Sequence, residues 1–184
     1  MKKSDRAFIK KHHNHIEYKY LPQLVYGGID GSITTFAVVA GVIGASLSSS
    51  IVLILGFANL FADGFSMATS DYFSIKSEND LYSKKKKKKS PLKNALATFL
   101  AFLVVGFIPL LSFVIAYLSR NESLIRNQFL YSVILTGFAL FIVGWFKGYI
   151  TQKHKLKSAL ETLVIGSIAA GLAFGVGYGL SMII

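Results

Sequence analysis

The sequence predicts an all-α integral membrane protein with five transmembrane helices, and three observations carry that expectation. Of 184 residues, 53% are hydrophobic and only 16% charged, with a mean hydropathy of +0.52, values typical of membrane proteins. Apolar runs of about 20 residues, the length that crosses a bilayer, recur five times. Every Lys and Arg except Arg120 and Arg126 falls ahead of the first run, between the second and third, or from the end of the fourth run into the loop that follows it. Short loops leave no room for a second domain, so residues 1–184 are expected to form one five-span unit.

Residues 1–23 carry Lys2, Lys3, Arg6, Lys10, Lys11 and Lys19 and are expected to form a basic amphipathic segment on an anionic leaflet. They lack the apolar core of a cleavable signal. His12, His13 and His15 either gather metal at a pore mouth or form an exposed polar face. Span one, Leu24 to Ala45, ends in the small residues Gly41, Gly44 and Ala45. Span two runs from Ile51 to Ser74. The loop at 75–95 carries Lys76, Lys84 to Lys89 and Lys93; adjacent like charges repel, so it is expected to be solvated against anionic lipid rather than bound to nucleic acid.

Span three, Leu96 to Leu118, contains Pro109, which removes a backbone donor and predicts a kink. Span four, Phe129 to Ile150, leads to Lys153, Lys155 and Lys157, with Lys147 near its end snorkelling to the headgroups. Span five, Ala159 to Ile184, is rich in glycine and alanine, residues that let membrane helices approach closely. Its Glu161 stands in the first turn, where the helix dipole favours an acid. The positive-inside rule then puts the N-terminus in the cytoplasm and the C-terminus on the opposite side. The short loops and the lack of a targeting segment fit a bacterial inner membrane.

Span two holds the residues that packing explains least. Asn59, Asp63 and Met67 follow at steps of four and so share one helical stripe. A carboxylate near the middle of a membrane helix costs about 2.5–3.5 kcal/mol on insertion scales, which points to a cation path or a partner helix. Asp30 in span one and Met67 each lie six or seven residues from the cytoplasmic end, about 10 Å deep, so the two can share one level. Asp63 lies near the midplane and Asp71 a turn nearer the cytoplasmic mouth. Carboxylate and amide oxygens with a thioether suit Fe²⁺, Mn²⁺ or their neighbours better than Mg²⁺ or Ca²⁺, and affinity order alone does not choose among them. Desolvation disfavours an ionised carboxylate and a bound cation favours it, so such a group can trade a proton for a metal. Plainer readings exist for each: Met67 as core filler, Asp30 as a helix cap, Asp71 as a solvated group, Asn59 as a bond to a neighbouring helix.

The chain has no cysteine, which removes disulfides, thiolate metal sites and Cys nucleophiles. It also shows no nucleophile–base pair and no phosphate loop, so neither an enzyme nor a bound cofactor is expected. Three functions compete on the residues alone: proton-coupled secondary transport of a divalent metal, a passive cation channel, and a membrane scaffold glued by the acidic stripe.

Two motifs bear on that choice. Gly27-Gly-Ile-Asp-Gly-Ser-Ile-Thr-Thr-Phe-Ala-Val-Val-Ala-Gly41 and Asn59-Leu-Phe-Ala-Asp-Gly-Phe-Ser-Met-Ala68, continuing through Asp71-Tyr-Phe-Ser to Lys76-Ser-Glu78, resemble the first- and second-span signatures of the vacuolar iron transporter family. Gly106-Phe-Ile-Pro-Leu and Gly166-Ser-Ile-Ala-Ala-Gly extend a weaker similarity, so it covers the chain from Tyr26 onward. The resemblance implies a homodimer that exports cytosolic Fe²⁺ or Mn²⁺ against protons, with the path near the dimer axis. It implies pathway roles for Asp30 and Met67; Asn59 matches a glutamate of plant members, and Asp63 is similar to the form in many bacterial ones. Many members insert a Glu- and Met-rich cytoplasmic metal-binding domain between spans two and three, where this chain has about twenty residues, six of them consecutive lysines. The expectation is uptake through the membrane site alone, at lower apparent affinity.

Overall fold

The computed structural model describes residues 16–81 and 89–183, and the described residues form helices joined by short turns, with no strand among them. The helices are α1 (Ile16–Gly44), α2 (Ser49–Leu81), α3 (Pro91–Gly106), α4 (Ile108–Ser119), α5 (Glu122–Ile150) and α6 (Lys155–Ser181). Helices α1, α2, α5 and α6 are each long and apolar enough to cross a membrane, and α3 with α4, taken together, are long and apolar enough to make a fifth, bent crossing. The count therefore matches the five crossings expected from hydropathy, and the chain is an integral membrane protein.

The ends of the helices differ from the expected spans for a common reason: hydropathy marks the part in lipid, whereas the helix continues through polar residues. Residues 16–23, expected within a separate leading segment, continue into the first crossing with Pro22 inside the helix. The His12, His13 and His15 cluster and Lys84 to Lys88 lie outside the described residues. Helix α2 has 33 residues, about 50 Å at 1.5 Å each, against about 30 Å of hydrocarbon. Its last turns therefore stand clear of the lipid core. There Asn79 and Lys89 clamp the base of the loop: Asn79 Nδ2 donates to Lys89 O at 2.8 Å, and Lys89 N donates to Asn79 Oδ1 at 3.2 Å. Lys89 Nζ also reaches Glu78 at 3.1 Å.

The kink of span three falls at Phe107, with a 49° bend between α3 and α4. Pro109 occupies the first turn of α4, where its missing N–H is tolerated. The bend is tied to α5, since Ser132 Oγ donates to Pro109 O at 2.7 Å in a fully buried contact. Helix α5 is capped by Asn121, whose side-chain oxygen accepts from the N–H groups of Ser123 and Leu124.

Helix α1 is the most buried crossing and packs against every other helix except at its surface-facing residues; α6 is the least buried. Glycines let backbones meet. A Cβ at Gly31 would stand 2.6 Å from Phe102 O, and one at Gly106 2.8 Å from Gly31 O, so α1 and α3 touch backbone to backbone. Gly44 meets Phe174 and Gly41 meets Gly177, which joins the far ends of α1 and α6. At the opposite end Glu161 is not in the first turn as expected, because α6 begins six residues earlier at Lys155; its partner is Lys147 of α5, at 3.9 Å, rather than the helix terminus. That end gathers the described lysines, while Arg120 and Arg126 flank the start of α5 at the other.

Candidate functional site

Asp30 and Asp63 are each followed by glycine, and this repeated Asp-Gly pair builds the site. Phe102 of α3 is fully buried between the two glycines. A Cβ at Gly31 would stand 3.0 Å from its Cγ, and one at Gly64 3.1 Å from its Cδ1. A single ring thus spaces α1 from α2 at the level of both aspartates. The two carboxylates are half-buried and close enough for their charges to act on each other. In a low-dielectric setting, neighbouring carboxylates repel unless a proton or a cation sits with them.

The remaining expected residues lie along α2 in different settings. Each four-residue step turns the stripe by about 40°, so Met67 stands about 80° round the helix from Asn59. That turn carries Met67 into the core, where it is 8% exposed in one buried cluster with Leu60 and Phe102. Asn59 is half-buried, with its Nδ2 shielded from solvent and without a hydrogen-bond partner among the described residues. Asp71 is not simply a solvated group at a mouth: it is half-buried and its Oδ2 accepts from Thr98 Oγ1 at 2.9 Å. Thr98 is itself fully buried, and its carbonyl lies against Gly27, so one residue joins α1, α2 and α3.

The structure therefore places Asp30 and Asp63 within electrostatic reach of each other, buries Met67 in the core and ties Asp71 to α3. Among the described residues no three His, Asp or Glu side chains gather into a metal-sized group. Sequence reading does not reach Phe102 or Thr98. The only trace of Phe102 is the glycine after each aspartate, which signals something closely packed there; Thr98 carries no signal, because its partner is 27 residues away.

The sequence model of the VIT family matches residues 21–90 and 83–178, two pieces that overlap in the loop between α2 and α3. The chain is 27% identical to the vacuolar iron transporter of Toxoplasma gondii over 240 residues, covering 95% of this chain and 79% of that one. It is 28% identical to vacuolar iron transporter 1 of Eucalyptus grandis, covering 83% of each chain, and 29% identical to vacuolar iron transporter 1 of Arabidopsis thaliana, covering 82% of each. An alignment of 240 residues is longer than this chain, so the Toxoplasma gondii protein carries internal residues that this one lacks. With the matched region spanning all six helices, the chain belongs to the VIT family.

Proposed function

We propose that this protein is a secondary transporter that moves a divalent transition metal, Fe²⁺ or Mn²⁺, out of the cytoplasm in exchange for protons. The observation that carries the reading is the Asp30–Asp63 pair, two half-buried carboxylates on different membrane helices, each followed by a glycine that packs on Phe102. Relatives named as vacuolar iron transporters support iron as a substrate. Asp30 and Asp63 are the first ligands, releasing protons as the metal enters and regaining them as it leaves. Met67 supplies a soft donor that favours Fe²⁺ or Mn²⁺ over Mg²⁺. Asn59 and Asp71 line the path on either side, Asp71 towards the lysine-rich end.

Two carboxylates are too few ligands for such an ion, and a second copy completes the set. Ala58, Ala62, Ser66 and Ser70 form an exposed stripe of small residues on α2, beside Asn59 and Asp63. Such a stripe lets a partner helix approach closely and brings a second pair of aspartates to the same level. The lysine-rich end faces the cytoplasm on the positive-inside rule, and a bacterial inner membrane is the setting proposed.

Metal flux into proteoliposomes with an imposed pH gradient tests the reading. Fe²⁺ or Mn²⁺ uptake by the wild type is expected to follow the gradient, and Asp30→Ala, Asp63→Ala and Met67→Ala to reduce it to near background. Wild-type rates in Asp30→Ala and Met67→Ala would remove the site assignment. Flux that persists without a pH gradient or counter-ion would make the protein a channel.

A further inference from the structure

We propose that the groove between α1, α3 and α5 is a binding site for one anionic phospholipid per protomer. The groove encloses about 710 Å³, within the range of built ligand sites. Leu21 and Val25 of α1, Leu100 and Val104 of α3, and Phe146 and Tyr149 of α5 form its walls. It opens sideways onto lipid: Leu100 is 57% and Val104 67% exposed.

Lipid tails are as apolar as these walls, so no hydrophobic force closes the groove, yet an empty one forfeits dispersion contacts along its length. An acyl chain restores those contacts. Selection then falls to the headgroup, and the mouth of the groove is basic. Lys93 stands seven and eleven residues before Leu100 and Val104 and so shares their face of α3. Lys153 follows Ile150, another lining residue, just past the end of α5. Lys155 Nζ lies 4.6 Å above the ring of Tyr149. Among the described residues none of these three lysines pairs with a carboxylate. From Val104 to Lys93 the helix climbs about 16 Å, close to half of the 30 Å hydrocarbon thickness, so tail and headgroup fit one leaflet. One wall is α1, the helix of Asp30, so an occupant braces that helix against α3 and α5.

The test is native mass spectrometry of the full chain in detergent, titrated with phosphatidylglycerol and with phosphatidylcholine of the same acyl chains. One phosphatidylglycerol per protomer is expected to be retained where phosphatidylcholine is lost. Replacing Lys93, Lys153 or Lys155 by Gln should weaken that retention about fivefold each. Val104→Trp fills the groove from an exposed wall and should abolish it, with the thermal unfolding temperature unchanged. Equal retention of the two lipids, or retention unaltered by Val104→Trp, would overturn the proposal. The chain has no cysteine, so crosslinks are unambiguous. A disulfide between Phe8→Cys and Val104→Cys would assign the groove to the chain's own N-terminal segment, and one between two Val104→Cys copies to a second protomer; either overturns it.

Discussion

Glycine does opposite things at the two ends of this chain's fold. In the α1–α2–α3 cluster, Gly27, Gly31, Gly64 and Gly106 all lie against neighbouring atoms, and a Cβ at any of them would meet one at 3.1 Å or less. On α6, Gly171, Gly175 and Gly179 repeat at the same four-residue spacing but have nothing within 4 Å. Gly166 and Gly177, on the inner side of that helix, do pack, against Leu140 and Gly41. The spacing of small residues thus marks a face able to pack closely, while only the neighbours decide whether it does so within one protomer. The cluster with used glycines is also the one that holds Asp30 and Asp63.

The sharpest break of that contrast is Phe102→Ala. It empties the space between Gly31 and Gly64 and should cost about 3–5 kcal/mol in reversible denaturation, with metal flux falling as α1 and α2 lose their spacer. Leu172→Ala on the 67% exposed flank of α6 should stay within about 0.5 kcal/mol of wild type in the same assay. Next comes Gly31→Ala, whose new methyl meets the Phe102 carbonyl at 2.6 Å, a backbone atom that cannot swing away. About 1–3 kcal/mol should be lost to overpacking, and unfolding in mixed detergent measures it. Thr98→Val removes the hydrogen bond to Asp71 at nearly constant shape and should cost about 1 kcal/mol, read by the same unfolding. The smallest effect has the opposite sign: Gly175→Ala meets nothing and should gain about 0.5 kcal/mol from backbone entropy alone. A loss there instead would mean that the outer face of α6 is covered.

Much of the architecture was legible because lipid enforces it. Five crossings follow from run lengths, and the gathering of lysines at one end follows from loop charges. The limits of α2 were less legible, since the helix outlasts the apolar run by several polar residues, Lys76 to Asp80 among them. Pro109 announces a bend but not its place. The turn breaks at Phe107 because a proline is accommodated by opening a new helix just ahead of it. Of the site, Asp30, Asp63 and Asn59 stand out as polar residues in apolar runs. The inward rotation of Met67 needs the angle per residue as well as the spacing. Phe102, one of 15 phenylalanines, is identified only by what lies on either side of its ring.

The two-way hydrogen bond between Asn79 and Lys89 has a consequence for how such chains vary. It ties the last turns of α2 to the residue two positions ahead of α3, so the intervening segment leaves and returns at nearly one point. Ends held that close let the connecting segment change length cheaply, since each doubling of a flexible loop costs only about 0.6 kcal/mol in closure entropy.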